Sequence, residues 1–210
     1  SVIMYKRLGI SNAELAFYTG WLNLPWVIKP LWSPFIDLIK TKRWWITWMQ
    51  LLIGAGLAGI AFTLPTDYFF QLTLAVFWLM AFSSATHDIA ADGFYMLGLN
   101  THEQALFVGI RSTFYRIATI AGQGLLIMLA GHLESTTNNI PFAWSITFMV
   151  LAGLFLALWA WHKFILPRPD ADKAACEVSA STLMQEFWAT FASFFRKKQA
   201  GIAILFMLLY

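Results

Sequence analysis

The sequence predicts an all-α fold, a polytopic bundle of membrane-spanning helices. Three observations carry this. Of 210 residues, 59% are hydrophobic and 12% are charged, where a soluble domain averages about 45–50% and ~25%. The apolar residues gather in runs of about 20 or more, the length that crosses a bilayer. Lys and Arg concentrate in alternate turns between those runs. So few charges cannot cover a water-soluble globule, which excludes a soluble enzyme, a disordered chain, a coiled coil and a disulfide-rich module. The single cysteine, Cys176, can form neither an internal bridge nor a thiolate cluster. The net charge of +3 is small and lies beside apolar blocks, pointing to lipid headgroups rather than nucleic acid.

Five full spans and one partial span follow in order. The first covers about Ala13 to Ile36, opened by Ser11 and Glu14 as a capping box. Pro25, Pro30 and Pro34 bend it, which membrane helices tolerate when neighbours satisfy the freed carbonyls. The second covers Trp44 to Leu64, with Trp44, Trp45 and Trp48 as an interfacial anchor. Its Gly54, Ala55, Ala58 and Gly59 offer small-residue spacing for close helix contact. The third runs from Tyr68 to Leu99 after a Thr66 cap. It is long enough to require tilt or protrusion. The fourth runs from Gln104 to Ala130, opened by Thr101 and Gln104, and its Gly122 and Gly124 read as packing residues. The fifth runs from Pro141 to Ile165, with Asn139 as cap and Pro141 in the first turn.

Residues 1–165 therefore form a transmembrane bundle. Residues 166–198 form a linker containing an amphipathic stretch, in which Leu183, Phe187, Phe191, Phe194 and Phe195 recur at helical spacing. That stripe suits the membrane interface and the bundle's own surface equally. Residues 199–210 begin a further span. The chain opens at Ser1 without an initiator Met and stops inside an apolar run, so it reads as an internal piece of a larger protein. Nine of the 14 basic residues lie at 40–43 and 163–198, on one side by parity, against Lys6 and Arg7 on the other. The positive-inside rule makes the first side, with the linker, cytoplasmic.

Ionisable groups inside spans are costly and ordinarily face a cavity or a partner. Here they are Lys29, Asp88, Asp92, Arg111 and Arg116, with His87 alongside. All lie in the first, third and fourth spans, which suggests three helices around a polar interior and two, the second and fifth, packed outside against lipid. Asp88 and Asp92 are four apart and share a helical face. With His102 as the pivot of the hairpin, Asp88 and Arg116 are equally deep, about 20 Å from the turn at ~1.5 Å per residue. Arg111 and Arg116 diverge by about 140° on an ideal helix, so Arg116 is favoured as the deep partner and Arg111 stands as a secondary candidate. Two carboxylates on one buried face suit a proton- or substrate-responsive switch. A static pair that only fixes helix register is the plainer reading. Lys29 suits either an anion or a snorkelling role. His87 and Asp92 fit the His-x-x-x-x-Asp spacing of glycerolipid acyltransferases, but they diverge by about 140° on a continuous helix. The four histidines lie at different depths, and no cofactor or metal is expected.

Three stretches resemble the AmpG-type muropeptide permeases of the major facilitator superfamily, which are grouped with acetyl-CoA transporters. Leu24 to Asp37 carries the Leu-Pro-aromatic, Lys, Trp, Pro and Asp pattern of that family's second helix. Ala85 to Phe94 is similar to the two-aspartate run of its fourth, with His87 in place of the usual Gln. Tyr115 and Arg116 are similar to the Tyr-Arg run of its fifth. The resemblance covers about residues 14–165 and implies helices two to six of twelve, plus the start of helix seven. Helix one and the C-terminal half would lie outside this chain. It also implies a cytoplasmic gate of Asp37, Lys42 and Arg43, with Ser33 at the motif's Gly position. It implies proton-coupled import of an anhydro-sugar peptide across the bacterial inner membrane. Alternatives are another bulky anion such as a coenzyme A ester, a non-transporting receptor or scaffold, and a membrane acyltransferase.

Overall fold

A computed structural model of the chain describes residues 2–173 together with 185, 187–189, 192–193, 196–197 and 201. The helices are α1 (Val2–Arg7), α2 (Asn12–Trp21), α3 (Leu24–Ile28), α4 (Ser33–Ile39), α5 (Lys42–Thr63), α6 (Phe69–Gly98), α7 (Thr101–Ile120), α8 (Leu126–Thr137) and α9 (Ile140–Ile165). A 3₁₀ turn at Lys29–Leu31 joins α3 to α4, and a π-helical turn at Ala121–Leu125 joins α7 to α8. Four continuous stretches are long and apolar enough to cross a membrane: Lys42–Thr63, Phe69–Gly98, Thr101–Thr137 and Ile140–Ile165.

The first expected span is broken rather than bent. The Ser11–Glu14 capping box opens α2, but each later proline starts a new segment. Pro25 and Pro34 sit in the first turns of α3 and α4, and Pro30 lies in the 3₁₀ turn. A proline has no N–H to give and crowds the carbonyl four residues back, so three within ten positions leave no continuous ladder. Other termini follow local chemistry. Thr41 accepts from the Trp44 N–H to cap α5, and Asn139 accepts from Phe142 to cap α9. The α6–α7 turn is closed by an Asn100–Glu103 capping box instead of Thr101 and Gln104. Thr66 does not cap α6: its hydroxyl donates to the Thr63 carbonyl at 2.7 Å, and Tyr68 takes the capping position.

The core is built on α5, which lies between α6 and α9. Ile53, Leu57, Ile60 and Ala61 pack with Trp144, Phe148 and Ala152 of α9, and with Val76, Phe77 and Met80 of α6. Lipid tails are as apolar as these side chains, so helix association depends on close approach. Two glycines about 200° apart on the helix permit it. A Cβ on Gly54 would stand 3.2 Å from Leu156 Cδ2, and one on Gly56 would stand 2.7 Å from Met80 Cγ. The second span thus packs on both α6 and α9 and still keeps one face exposed, with Trp44, Trp48 and Phe62. α9 likewise keeps an outward apolar face, with Val150, Leu154, Trp161 and Phe164 exposed. Gly122 and Gly124 lie in the π turn, and a Cβ on either would meet nothing within 4 Å among the described residues.

Residues 2–7 carry an unexpected anchor. Met4 and Tyr5 are fully buried. Thr73 donates to the Phe69 carbonyl at 2.6 Å, so Tyr5 is the donor in their 2.7 Å hydroxyl pair. Burial pushes the Tyr5 hydroxyl up to about 12, which keeps it a neutral donor. Arg7, exposed, reaches the buried carboxylate of Glu134, which also accepts from Trp144 Nε1 at 2.8 Å. This network ties α1, α8 and α9 at the end opposite the basic turns. Of the amphipathic stripe, Phe187 is buried and stacks on Phe35 of α4 with centroids 4.8 Å apart. The rest of that stripe and the further span from 199 lie outside the described residues, apart from the isolated positions given above.

Candidate functional site

Lys29, Asp88 and Arg111 reach the same depth from three separate elements. Lys29 lies ten residues before the end of α4, Asp88 ten before the end of α6, and Arg111 ten after the start of α7. Lys29 Nζ donates to Asp88 Oδ2 at 2.8 Å. Arg111 Nη2 donates to Asp88 Oδ1 at 2.5 Å, and Arg111 Nη1 binds Asp92 Oδ1. One carboxylate thus bridges two cations, and one guanidinium bridges two carboxylates a helical turn apart. The four charges sum to zero. Their side chains are partly accessible, Asp88 at 29% and Arg111 at 44%, so the cluster borders an open space and is not sealed in a core.

Arg116 is not the partner of Asp88. It is exposed and makes no ion pair or side-chain hydrogen bond among the described residues. The reason is the turn. α6 ends at Gly98 and α7 starts at Thr101, so the hairpin pivots between Leu99 and Asn100 and not at His102. Lys29 neither snorkels nor stands free; the broken backbone around Pro30 delivers it to Asp88. His87 is turned from the cluster's bonds: its Nε2 is buried with no partner among the described residues. Asp92 is engaged by Arg111, so it does not orient His87 as a base.

At the basic end, Lys42 Nζ pairs with Asp37 Oδ1 at 2.5 Å. The Lys42 stem crosses α6 at Gly93, where a Cβ would stand 2.3 Å from Lys42 Cε. Gly93 is a residue the sequence reading passed over, and only the crossing reveals its use. Arg43, one residue on and about 100° around the helix, points elsewhere. Its Nε and Nη2 donate to the carbonyls of Leu166 and Lys163 at 3.2 and 2.5 Å. Asp172 of the linker accepts from the Lys42 and Arg43 backbone N–H groups at 2.7 and 3.0 Å. The three gate candidates are therefore split between an α4–α5 pair and an α5–α9 clamp.

Fold and site together define an all-helical, multi-pass membrane protein with a charge cluster set among its spans. The family model described as the BT1 family matches residues 1–210, and the chain belongs to the BT1 family. It is 32% identical over 215 residues to an uncharacterized protein of Haemophilus influenzae, covering 98% of this chain and 46% of that protein. It is 26% identical over 191 residues to the anhydromuropeptide permease of Escherichia coli K12, covering 88% of this chain and 36% of the permease. An uncharacterized protein of Schizosaccharomyces pombe is 27% identical over 182 residues, 79% of this chain and 33% of its own. The chain spans less than half the length of each of these relatives. No solved structure matches it.

Proposed function

We propose that the chain is part of a proton-coupled secondary transporter that imports a muropeptide-like solute across a bacterial inner membrane by alternating access. The observation that carries this is the cluster of Lys29, Asp88, Arg111 and Asp92. α7 has no buried residue, so its charge contacts to α6 are prominent among the ties between them. Protonating one aspartate, or offering its cation a solute carboxylate, removes a tie and unbalances a neutral group. Either event weakens the hold on α7 and on the Lys29 turn. A discontinuous helix that delivers a charge to a site within the spans is a recurring device of such carriers. The name of the Escherichia coli relative, an anhydromuropeptide permease, supports this solute class. Asp88 and Asp92 serve as proton or substrate residues, with Arg111 and Lys29 as their partners. Arg116 meets the solute from the exposed face of α7. His87, adjoining Asp88, takes part in proton exchange. The Asp37–Lys42 pair acts as a cytoplasmic gate contact.

The test is uptake of labelled anhydro-muropeptide by the full-length gene product in vesicles, with and without a proton gradient. Asp88→Asn is expected to insert normally and to abolish gradient-driven uptake. Undiminished uptake by that variant rejects the coupling role. Arg116, a cation with no partner among the described residues, favours one second reading, a coenzyme A ester or similar bulky anion. Competition between acyl-CoA and the labelled muropeptide separates the two.

A further inference from the structure

We infer that the groove between the basic ends of α5 and α9 binds one anionic phospholipid of the cytoplasmic leaflet. The groove encloses a cavity of about 290 Å³ whose walls include Arg43, Lys163, Trp44, Trp48, Trp159 and Leu51. Its charges are uncommitted to acids. Lys163 forms no ion pair among the described residues and holds its ammonium 5.0 Å from the Trp159 ring centroid. Arg43 is fixed by two carbonyls through Nε and Nη2, which leaves Nη1 without a hydrogen bond among the described residues. An adjoining cavity of about 230 Å³ shares Thr41 and Arg43 and adds Arg168. Asp172 is the one acid among the described residues lining either cavity, and it already accepts two backbone N–H groups of α5.

The levels of these groups fit a lipid. Trp44 and Trp48 are exposed on one wall and Trp159 stands on the other, at the height where indole rings meet headgroups. Leu51 lies two turns deeper on the Trp44 face, where an acyl chain would run. Basic pockets between spans on the cytoplasmic side select anionic headgroups. A phosphate placed between Lys163 and Arg43 meets a cation without an acidic partner among the described residues and a fixed donor, while the glycerol and chains descend over Trp48. The inference needs the spans and the orientation given by the positive-inside rule, and it is independent of the transported solute.

The test uses the full-length protein in detergent, with native mass spectrometry of bound phosphatidylglycerol and phosphatidylcholine of the same acyl chains. Each cation near the headgroup favours the anionic lipid by about fivefold, so phosphatidylglycerol is expected to bind at least fivefold more tightly. Lys163→Gln should erase about one such factor and Lys163→Arg should keep it. Arg168→Gln, at a second exposed cation, gives an independent loss should Lys163→Gln fail to insert. Equal affinity for the two lipids overturns the inference. So does an anionic preference that survives both neutralising variants. Displacement of the bound lipid by millimolar inorganic phosphate would overturn it as well, assigning the cavity to a free anion.

Discussion

The pairing of Asp88 with Arg111 can be measured by a double-mutant cycle of Asp88→Asn and Arg111→Gln in the full-length protein. A hydrogen bond to a charged partner contributes about 1.5–3 kcal/mol, while fully exposed ion pairs give ~0.2–1 kcal/mol. Asp88 is 29% and Arg111 44% accessible, so the coupling belongs between these limits, at about 1–2 kcal/mol. Each single variant loses more than the coupling. Asp88→Asn frees Lys29 as well, and Arg111→Gln frees Asp92. Thermal unfolding in lipid nanodiscs is the assay; about 1 kcal/mol moves Tm by ~2–4 °C in a domain of about 150–250 residues, and by less in the longer full-length protein. The same cycle run with Arg116→Gln should give a coupling within about 0.3 kcal/mol of zero, as for independent sites. A strong Asp88–Arg116 coupling beside a null Asp88–Arg111 coupling would refute the geometry and restore the deeper arginine.

Three other outcomes are expected. Glu134→Ala should lower Tm more than Glu134→Gln, because the amide oxygen can still accept from Trp144; the difference should be about 1 kcal/mol, one hydrogen bond. Asp172→Ala removes the acceptor from the Lys42 and Arg43 amides. Hydrogen exchange at those amides should accelerate several-fold, with a stability loss of about 1 kcal/mol, as for a lost helix cap. Gly93→Ala places a methyl against the far end of the flexible Lys42 side chain, which can move aside, so that displacement and the ~1 kcal/mol gain in helix propensity should nearly cancel. In a Lys42→Ala background the same change should stabilise by about 1 kcal/mol, and an equal effect in both backgrounds would show that Lys42 is not displaced.

The sequence by itself determined the class of fold, the four continuous spans and two helix caps. These depend on additive or short-range properties. A run's apolar length decides whether it can cross a bilayer, and the caps at Ser11 and Asn139 involve partners three residues away. It also isolated the cluster's members, since a charge inside a span is conspicuous wherever it points. Tertiary structure alone decided the pairings. In a hairpin, a shift in the pivot is doubled at the partner: moving it two and a half residues, from His102 to the middle of the Leu99–Asn100 turn, exchanges Arg116 for Arg111. The three prolines announced a disturbance, but only packing against α6 shows that the broken backbone brings Lys29 to Asp88. Likewise, Gly93 and Asp172 gained their roles from chains crossing them at long range, where no local pattern reaches.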